Sequence, residues 1–326
     1  VRNRGAHEIL LALSGLFPES IEPIRDAFAD VLPQDKICVW HAPAPVCFRE
    51  PANMSRRLDA ERIYEAFLHE LSPDAIYVTS LFEGFGDDAV TSIRGEHGHS
   101  VVAVTLYDLI PYLNPDPYLL NPSVKAWYLE KIEHLRRADL WLAISASSRD
   151  EGIQHLGLPV AQCHNISTDA DPMFCPRALT PARKDALRHQ YGLKAEFVMY
   201  TGGIDHRKNI EGLIRAFARL PAEIRQTHQL AIVCSIQPAD RERLGHLAAA
   251  EGLENYQLVL TGFIPDEDLV ALYNLCALFV FPSWHEGFGL PALEAMRCGA
   301  PTIGANSSSL PEVIGWSDAL FDPKSN

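Results

Sequence analysis

The chain has 326 residues and is 47% hydrophobic, enough for one large domain or two of ordinary size. Its formal net charge of −14 argues against a nucleic-acid partner and against a broad basic face for docking on membranes, though not against a local patch. No apolar run approaches the roughly 18 residues that a membrane span requires. The acid excess is uneven: residues 1–171 hold 14 Lys and Arg against 25 Asp and Glu, and residues 172–326 hold 14 against 17. The seven cysteines show neither C-x-x-C pairs nor a Cys/His zinc spacing, so they read as reduced thiols of a cytoplasmic protein. No metal-ligand constellation is evident.

Residues 8–13 read as a strand. Residues 18–31 read as a helix with Ile21, Ile24, Phe28 and Val31 on one face. A short strand at 37–40 and a proline-spaced loop at 43–51 follow. Residues 55–71 are amphipathic, with Leu58, Ile63, Phe67 and Leu71 apolar, and 75–79 is a strand. Next comes the loop Ser80-Leu81-Phe82-Glu83-Gly84-Phe85-Gly86-Asp87. The strand at 100–106 ends in Tyr107-Asp108-Leu109-Ile110-Pro111, and ligands of open α/β sheets bind beyond such strand ends. Asn121-Pro122 has the chemistry of a helix start, with Val124, Trp127, Ile132 and Leu135 facing inward. A strand at 140–144 follows, and the serines of 145–148 read as a helix cap rather than a nucleophile, because no G-x-S-x-G context surrounds them.

The second half begins with a helix at 181–191 and a strand at 197–200 that runs into Thr201-Gly202-Gly203-Ile204-Asp205-His206-Arg207-Lys208-Asn209. Cations at a helix start oppose the helix dipole, so Arg207 and Lys208 beside a glycine pair point to an anionic ligand such as a diphosphate. The following helix carries Ile210, Leu213, Ile214, Phe217 and Leu220 at helical spacing and stops at Pro221. Strands at 230–234 and 258–261 flank a helix at 239–251. The second of these strands ends in Gly262-Phe263-Ile264-Pro265, where Phe263 reads equally as a ligand contact or as core. A helix at 268–276 leads to a buried strand at 277–281.

Residues 281–315, FPSWHEGFGLPALEAMRCGAPTIGANSSSLPEVIG, read as strand end, Gly-rich loop, helix and strand. Pro291 suits a first helical turn and Gly299 closes the helix. The amides around Gly287, Phe288, Gly289 and Leu290 lie at a helix N-terminus, which favours a phosphate. Glu286 and Glu294 flank that position, and paired carboxylates there suggest hydroxyl binding. At these residues the chain resembles the retaining glycosyltransferases of family 4, through the extended pattern FPS-x-x-EGFGLP-x-LEAM-x-x-G-x-P followed by LPEVIG.

The resemblance implies a GT-B fold, α/β, with two Rossmann-like domains of mainly parallel sheets facing a cleft. It divides the chain into an acceptor-side domain at 1–171 and a donor-binding domain at 172–326. It implies that Glu286 binds donor-sugar hydroxyls and Glu294 the ribose, and that the Phe288-Gly289-Leu290 backbone meets the diphosphate and sugar. Gly202, Arg207 and Lys208 match the family's diphosphate motif. Gly203 stands where many members carry Arg, and Phe263 lies at the turn that meets the base. Asp108 matches a functional position, whereas Tyr107 replaces a histidine that contacts the donor sugar. The S-x-x-EGFG loop at Ser80 repeats that at Ser283, either as a second similar unit or by coincidence, and Glu83 is a candidate acceptor contact.

The family pattern also implies segments missing before Gly5, between Gly5 and Ala6, and after Asn326. The function implied is retaining transfer of a sugar, with GDP-mannose as the preferred donor, to a polysaccharide or lipid-linked acceptor. No cofactor or metal is expected, and peripheral association with the inner membrane face is compatible. Two alternatives share the site: a nucleotide-sugar-binding subunit without turnover, and a phosphorylase or sugar-phosphate synthase.

Overall fold

The computed structural model describes residues 1, 5–94, 99–194 and 196–325. The expected loop end at Arg2-Asn3-Arg4 lies outside the described residues. The chain divides into two compact units, Val1–Ala143 with Arg149–Asn165, and Ile144–Ser148 with Ile166–Asn326.

In the first unit β1 (Leu11–Ser14) pairs in parallel with β2 (Ile37–Trp40). A four-stranded parallel sheet follows, β3 (Ala75–Val78), β4 (Val101–Leu106), β5 (Leu140–Ala143) and β6 (Cys163–Asn165), in that spatial order. The run VVAVTL makes β4 a central strand, because only a strand covered on both faces buries consecutive apolar residues. Helix Pro122–Leu135 starts as its sequence dictates: the Asn121 side chain accepts from the Ser123 amide at 2.9 Å, and Pro122 occupies the first turn.

Helix Met54–Glu70 departs from expectation. Ile63, placed on the apolar face, is 38% exposed, while Arg57, Glu61 and Glu65 are buried. The buried carboxylates have partners on this helix and elsewhere in the chain. Arg57 bonds both Glu61 at 2.7 Å and Glu130, Arg94 bonds Glu61, and Ser92 donates to Glu65. An apolar periodicity cannot register a face made of satisfied ion pairs.

The second unit is a six-stranded parallel sheet of β7 (Glu196–Thr201), β8 (His228–Val233), β9 (Leu258–Leu260), β10 (Leu278–Phe281), β11 (Thr302–Ala305) and β12 (Leu320–Phe321). Its order is β12-β11-β10-β7-β8-β9. The chain therefore starts at the centre, builds outward to β9, returns to lay β10 beside β7, and builds outward the other way. That is the doubly wound dinucleotide-binding order, and its switch point lies between β7 and β10. Helix Ile210–Ala218 buries Ile210, Leu213, Ile214 and Phe217, as their spacing predicts. Tyr200 and Phe281 stack at 6.0 Å beneath the switch point. Among the described residues no helix is long and apolar enough to cross a membrane.

Candidate active site

The carboxyl ends of β7 and β10 deliver two loops to the switch point, and the loops are tied to one another. The Trp284 amide donates to the Arg207 carbonyl at 2.8 Å, and the Asn209 side chain donates to the Pro282 carbonyl at 3.2 Å. His206 meets the Trp284 ring edge-on at 4.5 Å. Gly202 has φ +140°, and a Cβ there would lie 2.9 Å from the Tyr200 hydroxyl, which itself donates to the Gly203 carbonyl at 2.6 Å. Only glycine fits that turn.

These ties bring Arg207, Lys208 and Glu286 together. Arg207 Nη1 lies 2.7 Å from Glu286 Oε2, and Lys208 Nζ lies 2.6 Å from Glu286 Oε1. Arg207 also donates to the His285 carbonyl at 2.9 Å, and its Nε lies 3.2 Å from Asp205. Lys208 and Glu286 are 8% and 7% exposed. Two cations thus face two carboxylates, with Glu286 bridging both. The two cations and Glu286, which the sequence assigned to different parts of a ligand, form one triad.

The loop from Ser283 to Gly289 is shaped by a serine triplet. Ser307 donates to the Ser283 carbonyl at 2.8 Å. Ser308 accepts from the Glu286 amide at 2.8 Å. The fully buried Ser309 hydroxyl is shared between the Glu286 carbonyl at 3.0 Å and the Phe288 carbonyl at 2.7 Å. Gly289 has φ +107°, and a Cβ there would come within 2.6 Å of Leu310. Helix Leu290–Arg297 opens at that glycine, so its first amides lack partners within the helix. Gly287 and Phe288 are buried beneath the loop.

Glu294 lies one turn into this helix. Its carboxylate accepts from the Tyr273 hydroxyl at 2.9 Å. Burial pushes its pKa above the ordinary value, against the opposing pull of that hydrogen bond. Phe263 is 79% exposed on the turn after β9, which rules out the core reading for it.

The first unit gathers the remaining candidates. Tyr107 and Asp108 stand at the carboxyl end of β4. The Tyr107 hydroxyl donates to the Thr79 carbonyl at 3.0 Å, and Asp108 accepts from the Ile110 amide at 3.0 Å. Glu83 is exposed, accepts from Ser80 at 2.6 Å, and receives the Trp127 indole N–H on its carbonyl at 3.1 Å. The Ser80 loop follows β3 as the Ser283 loop follows β10. Among the described residues no helix opens between it and β4, however, and Asp88 instead ties the segment to the Val46 and Cys47 amides. The two loops share a strand-end position and a sequence, but not a strand–loop–helix unit.

Sequence reasoning missed the serine triplet, Tyr273, and the spacing of Glu61, Glu130 and His134. Ligand atoms of these last three residues lie within 4.8 Å of one another. Arg57 and Arg94 already occupy those carboxylates, and His134 Nδ1 meets the Ile93 backbone. All seven cysteines are free thiols.

A doubly wound parallel sheet with an anion-suited loop at its switch point, joined to a second parallel α/β unit, defines a GT-B fold. The model of the family glycosyl transferases group 1 matches residues 183–326. The chain is 40% identical over 324 residues, 99% of its length, to the serotype-specific mannosyltransferase WbdA of Escherichia coli. It spans only 40% of the length of that relative. It is 35% identical to the O-antigen chain mannosyltransferase B of Escherichia coli over 67% of this chain and 56% of that protein. Among solved structures, Anabaena Alr3699/HepE in complex with UDP-glucose superposes with a TM-score of 0.65. That match has 22% identity and covers 97% of this chain and 86% of the other, a likeness of fold.

Proposed function

We propose that this chain transfers mannose from GDP-mannose to a hydroxyl of a growing polysaccharide or lipid-linked glycan, with retention of anomeric configuration. The observation that carries the reading is the Arg207–Glu286–Lys208 triad at the switch point of the second sheet. The names of the two mannosyltransferase relatives supply the sugar. HepE, solved with UDP-glucose, supports a nucleotide sugar as the ligand class.

An arriving diphosphate takes over the two cations and releases Glu286 to the sugar hydroxyls. Glu294 receives the ribose hydroxyls, and exposed Phe263 lies against the base. In the reaction the bond between C1 and the diphosphate oxygen breaks. The acceptor oxygen forms the new bond on the same face, and its proton passes to the departing phosphate oxygen. Arg207, Lys208 and the first amides of helix Leu290–Arg297 stabilise the negative charge that develops on the leaving group. No side-chain nucleophile, cofactor or metal enters this scheme. The site of action is the cytoplasm, at the inner face of the membrane where a lipid-linked acceptor would be presented.

The test is transfer of labelled mannose from GDP-mannose, compared with Arg207→Ala. Loss of one such charge-stabilising group should lower the transfer rate about 100- to 1,000-fold. Undiminished transfer by the variant would remove the triad from the mechanism.

A further inference from the structure

Glu286 and Glu294 flank the same loop, yet they are held in opposite ways. Glu286 bridges two cations, whereas Glu294 forms no ion pair among the described residues. Its side-chain partner is the Tyr273 hydroxyl, which donates to Oε2 at 2.9 Å. Its other oxygen, Oε1, has no hydrogen-bond partner among the described residues. We infer that Tyr273 is a positioning residue of the nucleotide site: it holds Oε2 of Glu294 inward and so presents Oε1 to a ribose hydroxyl. This rests on the proposed placement of the ribose at Glu294.

Tyr273 is built as a fixed donor. It is the last residue of helix Asp266–Tyr273 and is 0% exposed. Its ring meets Phe174 edge-on at 6.0 Å and Phe279 edge-on at 5.4 Å, so it cannot swing away from Glu294. Burial holds the phenol well above its ordinary range, and the hydroxyl therefore stays protonated. Glu294 needs such a donor. It is half-buried with no cation beside it, and burial favours its protonated form. The Tyr273 hydroxyl opposes that shift, while Asp266, on the first turn of the same helix as Tyr273, adds to it. The other titratable groups nearby are thiols. Cys298 follows the end of the helix that carries Glu294 and is pushed up to about 11 by burial, with Cys175 and Arg177 beside it. Cys276 lies near Tyr273 and is pushed up to about 12. Both thiols stay neutral, which leaves Tyr273 as the group that keeps Glu294 ionised and oriented. An ionised carboxylate with one oxygen open and no cation alongside accepts from a neutral hydroxyl and repels a phosphate.

The experiment uses the intact chain. Titration of the Glu294 carboxyl is followed by carbon NMR without ligand, and calorimetry compares GDP with the GDP analogue that lacks both ribose hydroxyls. The unmodified chain should prefer GDP by about ten- to a hundredfold. Tyr273→Phe keeps the ring packing and removes the hydroxyl. It should move the Glu294 titration to higher pH, move the acid fall-off in GDP affinity the same way, and shrink the preference for GDP about three- to tenfold. In a Glu294→Ala background the same change should leave the preference unaltered, because nothing remains to be positioned. A tyrosine that only supports the fold would weaken both nucleotides alike. An unmoved Glu294 titration, or a preference for GDP that survives Tyr273→Phe intact, would overturn the inference. Equal binding of the two nucleotides by the unmodified chain would count instead against the ribose at Glu294, and the ligand-free titration would still decide whether Tyr273 holds the carboxylate.

Discussion

Replacing Glu286 with Gln keeps the shape of the side chain and removes its charge. In the ligand-free protein this leaves Arg207 and Lys208, now 2.7 and 2.6 Å from the carboxylate oxygens, facing a neutral amide. Lys208 is only 8% exposed and has little water to compensate. Breaking one side of a buried pair typically costs about 3–5 kcal/mol. For a unit of this size that lowers the melting temperature on the order of 10 °C. The same change should make the site more receptive to an anion, because only Asp205 then competes for Arg207 and Glu286 no longer holds either cation. GDP should therefore raise the melting temperature of Glu286→Gln by more than it raises that of the unmodified chain, while mannose transfer is lost. The assay is a thermal melt with and without GDP, followed by a transfer measurement. An unchanged melting temperature, or a smaller response to GDP in the variant, would refute the reasoning about the triad.

Four further outcomes are expected. Phe263→Ala should change stability by no more than about 0.5 kcal/mol, because the ring is 79% exposed, but should weaken nucleotide affinity by about 1–3 kcal/mol in a calorimetric titration. Glu294 has a folded pKa above its ordinary 4.5, so folding stability falls as pH rises from there through the folded value. Nucleotide affinity should run the opposite way, decreasing as pH falls through that folded value, and Glu294→Gln should flatten the profile measured by titration across acidic pH. Ser309→Ala should destabilise the second unit by about 1–3 kcal/mol in denaturant unfolding, since the Glu286 and Phe288 carbonyls lose their shared buried donor. Gly289→Ala should cost more than about 1 kcal/mol and slow transfer, because a left-handed backbone and a 2.6 Å approach to Leu310 both exclude a Cβ.

Much of the second unit was legible in the sequence because its information is local. The apolar runs of β7, β8 and β10 and the spacing from Ile210 to Phe217 follow from periodicity, and Gly202, Gly289 and Gly299 mark turns that only glycine makes readily. Arg207, Lys208 and Glu286 stood out individually. Their mutual contact did not, because it joins loops that are far apart in sequence and meet only when β10 is laid beside β7. The serine triplet was illegible for the same reason: a hydroxyl bonded to a backbone group more than 20 residues away leaves no periodic trace. In the first unit the buried face of helix Met54–Glu70 was misread because Glu61 and Glu65 look solvated until Arg94 and Ser92 arrive from another segment to join Arg57 of the same helix. Strand β6, Cys163–Asn165, is short, polar at two of its three positions, and held by its pairing with β5.

The measurement that tests the central claim most directly is incubation of the chain with GDP-mannose and an α-mannoside acceptor, with the product's anomeric configuration read by NMR. The account predicts release of GDP and an α-linked mannose, both abolished in Arg207→Ala. A β-linked product, or transfer that survives loss of Arg207, would contradict it.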